Sequence, residues 1–228
     1  MESVVKDLRL NDLREYDALI FDLDGTILDS MEVWNEVDEI FLGKRGFKVD
    51  KEYTDTVKSC SMTQSAEYTV KRYNLKETPE EVIAEWEATV EEEYRSNIKL
   101  KKGAPEFLKA AKDMGLKIAC ATALNRKNAV NSLSNNEVLS FFENVTTLED
   151  LGHEVNKNDP SIFLHVSDKL LVDPSRCLVF EDVLGAIEGA KKCGFKTVIV
   201  YDKLSAGDYE KGVNTADFHI FDWTSVQS

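Results

Sequence analysis

The chain has 228 residues, with 28 Lys and Arg against 42 Asp and Glu, for a formal charge of −14. Apolar residues make up 43%, enough for a packed core and too many for a disordered chain. The acidic balance excludes a whole-molecule attraction to nucleic acid or anionic lipid. No run of about 18 apolar residues is present, so no membrane span is expected.

Residues 1–15 alternate charged and apolar residues without a signal-peptide core, and read as a short helix on the core or a tail. Residues 18–22 (ALIFD) are an apolar run ending in acid, the pattern of a buried parallel strand. Residues 31–98 then carry only helical patterns. Val33, Val37, Ile40 and Phe41 recur at helical spacing, and a second helix is expected over 64–73. A third starts at Thr78-Pro79-Glu80-Glu81, a capping box with proline in its first turn. Val82, Ile83, Trp86, Val90 and Tyr94 form its apolar stripe. The glutamates 85, 87, 91, 92 and 93 form a face expected to be solvated.

After residue 98 strands and helices alternate. A helix is expected over 105–114, then a strand over 116–122 that ends in Thr122, and a further strand over 144–147. A helix over 160–170 is expected to open with Asp159 as cap and Pro160 at its first position. A strand over 177–182 ends in Glu181-Asp182, a helix over 183–193 stops at Gly194, and residues 196–202 form the last strand. The pattern predicts an α/β fold: a Rossmann-like parallel sheet core, residues 1–29 and 99–228, with a helical domain, residues 30–98, inserted into it. The four cysteines have no C-x-x-C spacing, and two lie in apolar runs, so a reduced, cytoplasmic chain is expected.

In an open parallel sheet, ligands bind beyond the carboxyl ends of the strands. The polar residues that end these apolar runs are Asp22, Asp24, Thr122, Glu181 and Asp182. Each alone has a plainer reading. Asp24-Gly25 between two apolar pairs can be a hairpin turn, Glu181-Asp182 can open a helix, Thr122 can cap one, and Lys157 can be a surface lysine. Together they differ, because three or more carboxylates at one sheet edge repel one another unless a cation lies among them. A hard, oxygen-seeking ion such as Mg²⁺ fits such a set, and sites of this kind handle phosphoryl groups.

Asp22-Leu23-Asp24-Gly25-Thr26 resembles the first motif of the haloacid dehalogenase-like hydrolases. Thr122 resembles their second motif. Lys157, in Lys157-Asn158-Asp159-Pro160, resembles the third, with Asn158 where a proline is common. Glu181-Asp182, followed by Gly185 and Gly189, resembles the fourth. The resemblance spans residues 16 to 203. The helical insertion is similar to the cap of the β-phosphoglucomutase/phosphatase branch, which opens and closes over its site.

The resemblance implies Asp22 as nucleophile and Asp24 as general acid and then base. It implies Mg²⁺ held by Asp22, the Asp24 carbonyl and Asp182, with Glu181 in support. It implies a phosphoryl group bound by Thr122, Ala123 and Lys157. An acid at position 24 favours phosphate esters over carbon-directed chemistry. Relative to the mutase pattern, Met62 replaces an arginine, Trp34 a histidine, and Leu124-Asn125 a serine and a lysine. The expectation is therefore a Mg²⁺-dependent phosphatase of a small phosphorylated metabolite, with a sugar phosphomutase as the alternative and a non-catalytic binding protein as a third reading. Trp34, Cys60, Met62 and Asn125 are the candidates for substrate choice. No partner beyond the small substrate is expected, neither nucleic acid nor membrane, and the chain is expected to be a monomer.

Overall fold

The computed structural model describes residues 6–57, 60, 62–151 and 160–226. The chain divides into two compact units, Met1–Ser30 with Ile98–Ser228, and Met31–Asn97.

The first unit is built on seven strands: β1 (Lys6–Asp7), β2 (Ala18–Phe21), β3 (Lys117–Thr122), β4 (Asn144–Thr147), β5 (Cys177–Glu181), β6 (Lys196–Val200) and β7 (Phe218–Ile220). They pair in the order β1-β7-β6-β5-β2-β3-β4, every pair parallel. From β2 the chain builds outward through β3 and β4. It then returns to the other side of β2 for β5, β6 and β7. The order of building therefore reverses between β2 and β5, the switch point where an open sheet leaves a crevice at its carboxyl edge.

Strands β2, β3 and β5 are apolar on both faces because helices cover both. On one face Ile20, Ala119 and Val179 pack with Ile162, Phe163 and Val166 of the helix Ser161–Leu170 and with Ala186 and Ala190 of the helix Leu184–Lys192. On the other, Phe21 stacks on its register partner Phe180, ring centroids 4.4 Å apart, with Phe107 and Trp223 beside them. Full burial of such a ring contributes about 2–3 kcal/mol.

The chain leaves and re-enters this unit along one seam. The Asp29 N–H donates to the Lys99 carbonyl at 2.9 Å, and Leu28 forms an antiparallel bridge with Leu100. A long insertion is thereby accommodated without opening the sheet.

The second unit holds four helices: α1 (Val33–Gly43), α2 (Lys51–Val57), α3 (Met62–Tyr73) and α4 (Pro79–Ser96). The Thr78 hydroxyl accepts from the Glu81 N–H, and the Glu81 carboxylate accepts from the Thr78 N–H at 2.8 Å, the reciprocal cap expected. The glutamate face is less solvated than its composition implies. Glu93 is buried and accepts from the Asn97 side chain, and Glu85 accepts from Arg45 of the α1–α2 loop. Helix α2 has no sequence signal of its own, having only seven residues and one buried side chain, Tyr53.

One further expectation needs correction. Pro160 lies before its helix, which spans Ser161–Leu170, and its carbonyl accepts from the Leu164 N–H; Asp159 lies outside the described residues. In residues 1–15 the short helix on the core is present as a 3₁₀ helix, Leu10–Glu15, with Leu13 buried, and the sheet gains an edge strand at Lys6–Asp7 that the sequence does not announce. Among the described residues no helix is long and apolar enough to cross a membrane.

Candidate active site

Asp22 is the first residue beyond β2. Its N–H still donates to the Phe180 carbonyl at 3.0 Å, so the sheet fixes its backbone, and it is only 3% exposed. The hairpin alternative at Asp24-Gly25 is not realised. Instead the chain coils around the Leu23 carbonyl, which accepts from the N–H groups of Thr26, Ile27 and Leu28 at 2.9 to 3.2 Å. Gly25 makes this possible with φ +76°, a left-handed conformation that other residues adopt at a cost. The coil returns the Thr26 hydroxyl to Asp22, donating to Oδ2 at 3.1 Å. Asp24, half-buried, accepts from the Ser30 hydroxyl.

Glu181 ends β5, the neighbour of β2, and is 3% exposed; Asp182 follows it, fully buried. The Glu181 Oε2 accepts from the N–H groups of Asp182 and Val183 at 3.1 and 3.2 Å. This resolves one open reading: Glu181 does cap the backbone entering the helix Leu184–Lys192, while Asp182 follows it into the site. The Leu184 N–H goes to Asp208. The ligand oxygens of Asp22, Glu181 and Asp182 nevertheless all lie within 4.8 Å of one another. Their field reaches behind the strand end. Burial pushes the Cys120 thiol well up, and the charges of Asp22 and Asp24 push it further.

Thr122 ends β3 on the other side of β2, buried, its Oγ1 accepting from the Leu124 N–H at 3.2 Å. Asp22, Thr122, Ala123 and Glu181 line one small recess, floored by Leu148, Ile162 and Phe163. Three adjacent parallel strands therefore deliver a carboxylate, a hydroxyl and a pair of acids to one edge.

Lys157 lies outside the described residues. Asn125 accepts from the Asn128 N–H at 2.8 Å and caps the helix Arg126–Asn135. Arg126, which follows Asn125, donates to Asp150 and to the Val145 carbonyl. Trp34 stands in α1, its side chain outside what is described; the Cys60 thiol donates to the Thr56 carbonyl; Met62 opens α3. Thr26, the last residue of the first motif, donates to Asp22, and Ser30 donates to Asp24, a contact that no spacing in the sequence announces. Lys101 and Trp223, which hold the turn from behind, have no sequence signal.

The sequence model of the haloacid dehalogenase-like hydrolase family matches residues 19–200. YhcW of Bacillus subtilis (strain 168) is 31% identical over 189 residues, 82% of this chain and 84% of that protein. Hexitol phosphatase B of Escherichia coli (strain K12) is 26% identical over 193 residues, 82% and 84% of the two chains. Among solved structures, the β-phosphoglucomutase of Clostridium difficile superposes with a TM-score of 0.62 at 22% identity, over 92% of each chain, a likeness of fold. With the fold, the strand-end acids and a match spanning most of the sequence in agreement, the chain belongs to the haloacid dehalogenase-like hydrolase family.

Proposed function

We propose that this hydrolase is a Mg²⁺-dependent phosphatase of a small phosphorylated metabolite, working as a monomer in the cytoplasm through an aspartyl phosphate on Asp22. The observation that carries the reading is the convergence of three buried carboxylates, Asp22, Glu181 and Asp182, at the switch point of the sheet. Their donor set is all oxygen and anionic, which fits a hard divalent cation. Asp22, Asp182 and the Asp24 carbonyl would hold it, with Glu181 in support. When bound, the cation neutralises these acids and the phosphoryl oxygens.

The remaining steps belong to the chain. A carboxylate oxygen of Asp22, with Thr26 donating to Oδ2, attacks phosphorus, and the bond from phosphorus to the ester oxygen breaks. Asp24, protonated at that moment, gives its proton to the leaving oxygen. The resulting Asp24 carboxylate then takes a proton from water as that water attacks the phosphorus. The bond from phosphorus to Asp22 breaks and inorganic phosphate leaves. Thr122, Ala123 and Lys157 hold the phosphoryl oxygens meanwhile. The transition state is loose, so positioning and charge stabilisation do most of the work.

The test is phosphate release from a panel of phosphomonoesters, including hexitol phosphates and sugar phosphates, with and without Mg²⁺. Mg²⁺-dependent release that Asp22→Asn abolishes supports the reading. Conversion of β-glucose 1-phosphate to glucose 6-phosphate without net release makes the chain a mutase. No turnover by a folded enzyme that binds Mg²⁺ would contradict the proposal.

A further inference from the structure

The turn that follows Asp22 resembles the end of a helix. Its amides fold inward onto the Leu23 carbonyl, which leaves the next carbonyls pointing outward and in need of donors. Two distant side chains supply them. Lys101 Nζ donates to the Gly25 carbonyl, and Trp223 Nε1 donates to the Thr26 carbonyl at 3.1 Å. A cation at this end of a helical turn also opposes the negative pole of the peptide dipoles.

Lys101 is held firmly in that place. Its ammonium donates to the Tyr201 carbonyl at 2.8 Å and pairs with Asp202 at 2.9 Å. The two side chains are 15% and 8% exposed, so Asp202 is buried and Lys101 largely so, and loss of the partner would be costly for Asp202 above all. Its backbone N–H donates to the Ile27 carbonyl at 2.8 Å, which pins the same residue to the same turn twice. Trp223 is fixed in turn. At Gly103, with φ +92°, a Cβ would meet the Thr224 nitrogen at 2.7 Å and the Trp223 carbonyl carbon at 2.8 Å. The segments around 101–103 and 223–224 therefore interlock behind the turn.

We propose that Lys101 is a positioning residue for this site: anchored by Asp202 and Tyr201, it fixes the Gly25 carbonyl and thereby aims Asp22 and Asp24. The proposal rests on the phosphatase reading of those two acids. The route is short. Gly25 lies between Asp24 and Thr26, and Thr26 donates to Asp22. A turn released at Gly25 rotates the Asp24 side chain and withdraws the Thr26 hydroxyl. Thr122, Ala123 and Lys157, assigned to the phosphoryl oxygens, lie off this turn, so at saturating Mg²⁺ turnover falls while substrate affinity is kept.

The experiment measures kcat and KM for p-nitrophenyl phosphate with Mg²⁺, together with amide hydrogen exchange, in four variants. Lys101→Met leaves Asp202 buried and unpaired and can fail to fold. Lys101→Met with Asp202→Asn removes both charges, and the asparagine oxygen keeps the bond from the Leu204 N–H. Asp202→Asn alone keeps the ammonium, and Trp223→Phe removes only the indole donor. The double variant should lose roughly ten- to a hundredfold in kcat with KM within about twofold. Exchange at Thr26, Ile27 and Leu28 should rise, while Leu19 to Phe21 stay protected. Asp202→Asn and Trp223→Phe should lose less. A double variant with lower thermal stability but unchanged kcat and unchanged exchange in the turn would overturn the proposal and leave Lys101 as a structural ion pair. If the wild type released no phosphate, or Asp22→Asn still did, the phosphatase reading would fail. The exchange data would then decide the clamp alone, and unchanged exchange would sink it.

Discussion

The acids that link the helices of the second unit and the acids at the strand ends of the first are treated in opposite ways. In the helical unit Asp38, Glu77 and Glu85, all partly buried, each meet a cation or hydroxyl from another segment. The Arg45 guanidinium, 18% exposed and 3.7 Å from the Phe41 ring centroid, donates to both Glu77 and Glu85. Its hydrogen bonds hold both carboxyls below the usual range. Asp38 of α1 accepts from the Tyr53 hydroxyl of α2 at 2.9 Å, and that hydroxyl also lies 2.9 Å from Thr69 of α3. In the sheet unit three more deeply buried acids converge on one another. Matched acids tie helices together. Gathered acids store electrostatic strain that a cation relieves, which separates a site from a scaffold.

The largest test of this contrast is Asp182→Asn. Without metal the variant should be about 1 kcal/mol more stable than the wild type, because one of three crowded charges is gone. With Mg²⁺ at about a hundred times its Kd, the wild type should gain about 2.7 kcal/mol and the variant far less. Thermal melts with and without Mg²⁺ measure both, and a wild type indifferent to Mg²⁺ would break the contrast. Arg45→Met is the counterpart in the helical unit. Losing its charged hydrogen bonds should cost about 2 kcal/mol in urea unfolding while the Mg²⁺ response remains.

Asp38 gives a smaller effect with a defined sign. Burial raises its carboxyl to about 6, although the Tyr53 hydroxyl opposes the rise. The folded chain therefore holds this proton where the unfolded chain has lost it. The associated stability is fully present below about pH 4 and is lost as pH rises through about 6. The solvent-screened size is about 1 kcal/mol. Subtracting the pH–stability curve of Asp38→Asn from that of the wild type should show this falling step, and a flat difference would remove Asp38 as its source. The smallest effect lies apart from both acid networks. Leu171 ends its helix at φ +54° and is 88% exposed, so Leu171→Gly should stabilise by about 0.5–1 kcal/mol in the same unfolding assay.

Much of this was legible in sequence, for identifiable reasons. The runs at 18–22, 116–122, 177–182 and 196–202 are apolar along their centres rather than alternating, because their strands are covered on both faces, and each appears as a strand. The site acids were legible because parallel strands deliver their ends to one edge, so position in the pattern substitutes for distance. The same logic names no site in the helical unit, where function does not follow from the end of an element. Strands β1 and β7 escaped notice because two and three residues are too few for a period. The helix Arg126–Asn135 escaped because its sequence, RKNAVNSLSN, is mostly polar. Lys101 and Trp223 escaped because their bonds to the turn cross 76 and 197 residues of chain. Nothing local marks either residue as different from a surface lysine or a core tryptophan.

The central claim is that the acids gathered at the switch point make Asp22 a nucleophile toward phosphorus. The most direct measurement is acid quench of the enzyme during turnover of a phosphomonoester with Mg²⁺, followed by mass spectrometry of the tryptic peptide Glu15–Lys44. The account predicts a phosphoryl group on Asp22, present only with both substrate and Mg²⁺ and absent in Asp22→Asn. A phosphoryl group on another residue, or steady turnover with Asp22 never modified, would contradict it.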